Sequence, residues 1–269
     1  LRTLAANPRI KMFELKLAQG AKPGKGGILP ARKITKAIAD VRGIPMGHPS
    51  ISPSHHTDIT NHSELHAMIA QMKATTGKPV GIKIVVSSTD LIDGLAASAA
   101  ALGPDGLPDF ITVDGGDGGT GASPMPLMDN VGLPLREALV LAVNALNRHG
   151  LRDRVRVIAS GKLVTPSGVA LALATGADFV VSARGFMFAL GCIQAMKCNK
   201  NTCPTGITTH NPRLQEGLDP TDKAERVAQY VASINEDVAT IAHSCGVPNP
   251  QDLARKHVRI VQPDGTSRP

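Results

Sequence analysis

The sequence has no tryptophan, one tyrosine and five phenylalanines in 269 residues. With aromatics that scarce, a packed interior has to rest on Ala, Val, Ile and Leu, for which an apolar content of 42% is sufficient. No run approaches the roughly 18 consecutive apolar residues of a membrane span, and no leader-like segment opens the chain. An initiator methionine is also missing, and Leu1 reads as a start in mid-domain. Lys and Arg are scattered and no stacking aromatics accompany them, so the net charge of +7 does not indicate a nucleic-acid surface. That charge suits an anionic ligand or an acidic partner. Cysteine is rare as well: there are four, three of them in one short run. Such usage points to a reducing compartment, the cytoplasm, and away from a disulfide framework.

What is present centres on that run, Gly191 to Thr205, GCIQAMKCNKNTCPT. Cys192, Cys198 and Cys203 are spaced C-x5-C-x4-C and Pro204 closes the motif. A disulfide would leave one thiol over and would need two of the three brought close. Zinc prefers tighter spacings and a fourth ligand, which His210 could supply in a Cys3His site. Iron–sulfur clusters are held by thiolates, often in runs ending Cys-Pro, and three ligands fit a three-iron cluster. The plain alternative is three small buried hydrophobes.

Around this run, short apolar segments alternate with helical ones. Strands are expected at Met12–Ala18, Val80–Val86, Phe110–Val113, Val155–Ala159 and Phe179–Ser182. Helices are expected at Asp90–Leu102, Leu135–Arg148 and Ser167–Thr175, with a further one from about Gly185. Another precedes Val80: Leu65, Met68, Ile69 and Met72 recur at helical spacing, with a start near Ser63 and Glu64. Thr221–Ser244 reads as one long outer helix, and the end from Gln262 as loose. Near-continuous apolar strands are the mark of a parallel sheet covered on both faces. Five such units build either a doubly wound sheet or most of a (β/α)8 TIM-type barrel. No G-x-G-x-x-G follows the first strand, and every strand ends in polar or Gly-rich sequence, which favours the barrel.

The loops carry the chemistry. Asp114–Ser123 is glycine-rich and lets backbone N–H groups approach a flat ring or an oxyanion. Lys16 and Lys83 occupy comparable points of two strands, aimed either at a barrel mouth, where a reduced flavin edge is a suitable partner, or at a helix. Lys22, in AKPGKGG, could grip a carboxylate or be a solvated loop charge. His55 and His56 read as loop histidines near a substrate rather than a metal pair.

Four ordered motifs, KLAQGAKPGKGG, ISPSHHTDI, DGGDGGTGASP and the cysteine run followed by TGITTHNP, resemble the FMN-binding synthase domain of the glutamate synthase family. The resemblance spans roughly 14–214 and is nearest to short, stand-alone glutamate-synthase-like proteins without a glutaminase domain. It implies a (β/α)8 barrel holding FMN and a [3Fe-4S] cluster, in which 2-oxoglutarate and ammonia give glutamate. It further implies an oxidoreductase acting on CH-NH2 donors, supplied with electrons by a ferredoxin or a reductase subunit, with ammonia from solution or a partner.

By the same resemblance Cys192, Cys198 and Cys203 are cluster ligands. Ser160, Gly161 and Lys162, with Ala183, Arg184 and Gly185, belong to FMN-phosphate loops, while Gly118, Gly119, Thr120 and Gly121 line the flavin side. Lys16 and Lys83 face the flavin and Lys22 belongs to the substrate loop. The strands found would then be about the fourth to the eighth, in a partial barrel at 1–214, with a helical extension and tail at 215–269. The family's KPGEGGQLPG is KPGKGGILPA here, so that Lys25, Ile28 and Ala31 replace an acid, a glutamine and a glycine. The glutamine is expected to help hold the oxoacid, and Ile28 cannot donate that hydrogen bond. The substrate therefore need not be 2-oxoglutarate. Two other readings stand beside this one: a non-catalytic electron-transfer or binding fragment, and a zinc-stabilised phosphate-binding barrel.

Overall fold

The alternating apolar segments assemble into one parallel sheet. In the computed structural model, which describes all residues but Thr120, Ala122 and Pro269, its strands are β1 (Phe13–Lys16), β2 (Val80–Ile84), β3 (Phe110–Asp114), β4 (Arg156–Ser160) and β5 (Phe179–Val181). They lie side by side in chain order, and every neighbouring pair is parallel. A doubly wound sheet reverses its order part-way. This one does not, so the chain winds in one sense, as a (β/α)8-type barrel does. Both edge strands, β1 and β5, have a single neighbour among the described residues.

The period of two along each strand divides its side chains between two environments. Val80, Ile82 and Ile84 of β2, Ile111 and Val113 of β3, and Val157 and Ala159 of β4 face a helix layer. That layer consists of α1 (His62–Thr76), α2 (Asp90–Leu102), α3 (Leu135–Arg148) and α4 (Pro166–Thr175). Leu65, Ile69, Ile92, Leu95, Leu139 and Leu146 supply its buried stripe. Small and branched side chains fill this core, as the lack of aromatics demands. Glu14, Lys16, Lys83, Thr112, Asp114 and Ser160 alternate onto the opposite, inner face. At β5 the inner residues Phe179 and Val181 are 59% and 45% exposed, whereas Val180 packs on the core. A closed barrel fills such positions from neighbouring strands.

Capping sets the helix starts. Helix α1 begins at the Asn61 cap, whose side chain accepts from the Glu64 N–H at 2.9 Å, slightly upstream of the start expected at Ser63. Thr165 caps α4 ahead of Pro166, and Asp219 caps the long helix α6 (Pro220–Ser244) ahead of Pro220. Helix α5 (Ala183–Ala189) follows β5. The 215–269 region lies on the outside of the sheet–helix unit: Ala242 and Leu253 form a small second core with Ala170 and Ala174 of α4. The tail from Gln262, expected to be loose, instead turns back so that Ser267–Arg268 pairs with Ile260–Val261. The sequence also gave no sign of a two-residue antiparallel pairing, Ile28–Leu29 with Ser50–Ile51, which folds the Lys22 loop onto the His55 segment.

Candidate cofactor and substrate site

Parallel strands deliver their last inward residues to one end of the sheet, and there Asp114 is the hub. Its carboxylate is buried, accepting from Ser160 Oγ at 2.6 Å and from the Gly20 N–H at 2.8 Å, with Lys83 Nζ 3.5 Å away. Asp114 and Ser160 are register partners, as are Lys16 and Lys83. Both lysines are therefore on the inner face and not against the helices. The Gly20 backbone lies so near β3 that a Cβ there would stand 1.9 Å from the Gly115 carbonyl oxygen. The loop after β1 is thus sewn directly onto the end of β3.

Above this hub opens a cleft of about 540 Å3, a size suited to a cofactor. Its walls take in Lys83, Gly118, Gly119, Gly121, Ser160, Gly161, Lys162, Ala183 and Arg184, and all of Cys192, Cys198 and Cys203. Thr120 lies outside the described residues. Gly185 is not a wall residue: a Cβ there would meet the Tyr230 hydroxyl at 2.0 Å, so its small size serves the packing of α5 on α6. Two glycines of the Asp114 loop are required by close approach. Added Cβ atoms would stand 1.9 Å from Arg184 Nη2 at Gly119 and 2.5 Å from Cys198 Sγ at Gly121. The loop is therefore the floor across which the arginine and one thiol are brought together.

Backbone strain gathers at the same place. Asp129, Lys162, Gln194 and Met196 adopt left-handed conformations with φ of 62°, 46°, 55° and 53°, and all four line the cleft. Non-glycine residues take that conformation at a cost and concentrate at functional sites. Lys162 Nζ is held 3.0 Å from Asp129 Oδ1.

The three thiols share the cleft without converging. Among the described residues no three Cys, His, Asp or Glu side chains come together as a single metal ion requires. The zinc site drawn with His210 is thereby corrected: His210 is exposed and absent from the cleft wall. No cysteine is in a disulfide. Burial pushes the Cys203 thiol up, but the polar groups of Thr205, whose Oγ1 is 3.4 Å from its sulfur, and of nearby Thr208 outweigh it and bring it down to about 6. The buried Thr208 hydroxyl has no hydrogen-bond partner among the described residues.

A second, smaller cavity of about 290 Å3 adjoins the first at Gln19. Lys16, Lys22, Lys25, His55 and His56 line it with Ser52 and Ser54, and no carboxylate does. Lys22 is only 6% exposed, and its sole partner among the described residues is the Gly26 carbonyl at 3.3 Å. Burial first, and then Lys16 and Lys25, lower its pKa. Lys16 Nζ donates to Gln19 Oε1 at 3.0 Å, and His56 Nε2 meets the Lys16 carbonyl at 2.9 Å. The predicted lysines therefore divide: Lys83 faces the large cleft, Lys16 and Lys22 the small one. Sequence reasoning missed Asp114, Gln19 and Asp129. For Asp114 a signal existed, an acid at the last inward position of an otherwise apolar strand.

The model of the family described as "Conserved region in glutamate synthase" matches residues 7–248. The chain belongs to the glutamate synthase family. It is 42% identical over 258 residues to the glutamate synthase large subunit-like protein YerD of Bacillus subtilis, covering 96% of this chain and 49% of the relative. An archaeal glutamate synthase [NADPH] of Methanocaldococcus jannaschii is 36% identical over 252 residues, covering 92% and 48%. The chain thus spans about half the length of these glutamate synthase relatives. Among solved structures, a flavocytochrome b2 double mutant with pyruvate bound superimposes with a TM-score of 0.52 at 16% identity, covering 91% of this chain and 47% of the other. The recombinant flavin-binding domain of baker's yeast flavocytochrome b2 does so with 0.52 at 14%, covering 92% and 47%. At such identities the likeness speaks for the fold: the sheet is part of a (β/α)8 barrel.

Proposed function

We propose that this chain carries the cofactor and substrate site of a glutamate synthase-type oxidoreductase that uses FMN and a [3Fe-4S] cluster to reduce an imino acid. The net reaction converts 2-oxoglutarate or a related oxoacid, with ammonium, two electrons and two protons, into the amino acid and water. The observation that carries it is the large cleft, which the Ser160–Lys162 loop, Ala183, Arg184, Lys83 and all three cysteines line together.

The residues present fit the cofactors. FMN would be held by Ser160, Gly161, Lys162, Ala183 and Arg184 at its phosphate, with Gly118, Gly119 and Lys83 along its ring. The three thiols line one cleft without meeting as a single ion would require, which is compatible with a larger multi-iron cluster, and the Thr208 hydroxyl, without a hydrogen-bond partner among the described residues, suits a sulfide acceptor. When bound, the flavin supplies hydride chemistry and the cluster supplies electrons singly.

The chain's own groups do the rest. Lys83 and Lys16 place positive charge at the mouth, one balanced by Asp114 and the other by no acid among the described residues. Lys22 holds a substrate carboxylate, exchanging one long carbonyl contact for a charged partner. Gln19, between the cavities, fixes where the two compartments meet. An acidic electron donor such as a ferredoxin, or a reductase subunit, completes the scheme.

The test is an anaerobic absorbance spectrum with flavin, iron and acid-labile sulfide analysis. One FMN and about three irons per chain are expected for a three-cysteine cluster. A colourless protein carrying zinc would overturn the reading.

A further inference from the structure

The large cleft needs its thiols held in place, yet Cys192 and Cys203 sit in irregular chain and Cys198 opens only a single 3-10 turn, Cys198–Lys200. The segment between Cys198 and Thr209 is closed at its base from within: Thr209 Oγ1 donates to the Asn201 carbonyl at 2.7 Å, and Asn201 Oδ1 accepts from the His210 N–H at 2.8 Å. From the N-terminal part of the chain, two adjacent side chains reach it among the described residues. Lys33 Nζ donates to the Cys198 carbonyl and to the Thr208 carbonyl, both at 2.8 Å, and Arg32 Nη2 donates to the Asn199 carbonyl at 3.0 Å. Lys33 has no carboxylate within ion-pair distance among the described residues. Its position is anchored by the next residue, Ile34, which is 6% exposed.

We propose that Lys33 is a positioning residue for the cysteine loop: by joining the Cys198 and Thr208 carbonyls it fixes how Cys198 and Cys203 are presented to the cleft. An ammonium carries three donors on one compact charge, and here two of them are spent on carbonyls that flank Cys203 in the chain. The bond from a charged donor is stronger than that between neutral groups, so one side chain reinforces a closure that the Asn201 contacts begin. The same residue ends the segment that begins at Lys22, and so ties the wall of the small cavity to the wall of the large one. Loop closure stands on the geometry alone. Its consequence for iron rests on the proposed function.

The experiment compares wild type, Lys33→Met and Lys33→Arg in metal-free protein by hydrogen exchange of residues 192–209 and by alkylation rates of individual thiols. Methionine keeps length and apolar stem but donates nothing, whereas arginine can serve both carbonyls. In Lys33→Met, exchange and alkylation at Cys198 and Cys203 are expected to rise by roughly tenfold or more, as the loop opens locally. Cys245, at the end of α6, is the internal control and stays within about twofold, as do all rates in Lys33→Arg. Unchanged rates at Cys198 and Cys203 in a folded Lys33→Met protein overturn the proposal. If Lys33→Met does not fold, the arginine variant decides: a loop as open as an unstructured peptide there overturns it, and wild-type protection supports it. Iron reconstitution is then measured. Loss of iron in Lys33→Met and its recovery in Lys33→Arg support the role at the cluster. A loop that opens in Lys33→Met while no variant, wild type included, takes up iron leaves the positioning role standing and removes the iron–sulfur reading.

Discussion

Replacing Asp114 tests whether the mouth of the sheet is organised around one carboxylate. Asp114 accepts two short hydrogen bonds, 2.6 Å from Ser160 Oγ and 2.8 Å from the Gly20 N–H, in a site only 6% exposed. Hydrogen bonds to a buried charge contribute about 1.5–3 kcal/mol each, so Asp114→Ala, which loses both, is expected to cost about 3–6 kcal/mol. The Lys83 contact adds to this cost: at 3.5 Å, with only a fifth of the lysine and less of the aspartate exposed, the pair is weakly screened, and Asp114→Ala leaves Lys83 without its acid. Asp114→Asn should behave differently. Its Oδ1 can keep the Gly20 N–H, and the Ser160 hydroxyl can turn to accept from the new amide, leaving two neutral bonds and a loss of about 1–3 kcal/mol. The assay is urea unfolding of both variants, read at the midpoint with the slope checked for constancy, and exchange of the Gly20 amide as the local probe. If alanine and asparagine are equally destabilising, or if the Gly20 amide exchanges as in wild type, the hub argument fails.

Other outcomes follow from the same geometry. With its thiol near 6, Cys203 should be about nine-tenths thiolate at pH 7 in metal-free protein, so its alkylation rate should plateau above about pH 7. A profile still rising to pH 9 would contradict this. Cys198→Ser should remove bound iron, and full iron content in that variant would end the ligand assignment. In Gly121→Ala the new Cβ would stand 2.5 Å from Cys198 Sγ, so iron should fall while flavin binding persists; equal iron would show that the thiol has room to move. For Lys22 the folded pKa lies below its ordinary value, so the unfolded chain binds more protons and stability rises with pH between the two. A carboxylate ligand reverses that shift, so binding at alkaline pH should take up protons, seen calorimetrically as buffer-dependent heat. Heat independent of buffer would remove Lys22 from the site.

The strands and helices were legible because the chain alternates them without ambiguity. Val80–Ile84 is apolar on both faces except at Lys83, and Leu135–Arg148 buries Leu135, Ala138, Leu139, Ala142, Val143 and Leu146 at helical spacing. That the three cysteines and the Ser160–Lys162 turn line one cleft accords with their grouping by motif and resemblance. What the sequence could not disclose was partnership across distance. Nothing local in Asp114 announces that Gly20, ninety-four positions earlier, will donate to it. Nor does Lys33, one of many scattered lysines, advertise two carbonyls at 198 and 208. Gly185 carries a second demand that the sequence did not announce, since a side chain there would meet the Tyr230 hydroxyl.

The charge of the small cavity ties the family's departures to the fold. Lys25 stands where, by the resemblance to the full enzyme, an acid is expected, and it joins Lys16 and Lys22 around a space with no carboxylate on its wall among the described residues. Like charges so placed oppose one another, which is why Lys16 and Lys25 lower the pKa of Lys22. An acid at position 25 would relieve that repulsion and also weaken the cavity for anions. The lysine does the opposite: it leaves the free protein with unbalanced positive charge that an anionic ligand would neutralise. Ile28, meanwhile, is paired with Ile51, 47% exposed and absent from the wall of either cavity, so it supplies no hydrogen bond to a ligand there. Together the two changes exchange directional recognition for net charge. On the proposed function, selectivity in this chain then rests on how much negative charge the oxoacid carries, and less on the hydrogen-bonding pattern that a glutamine would read.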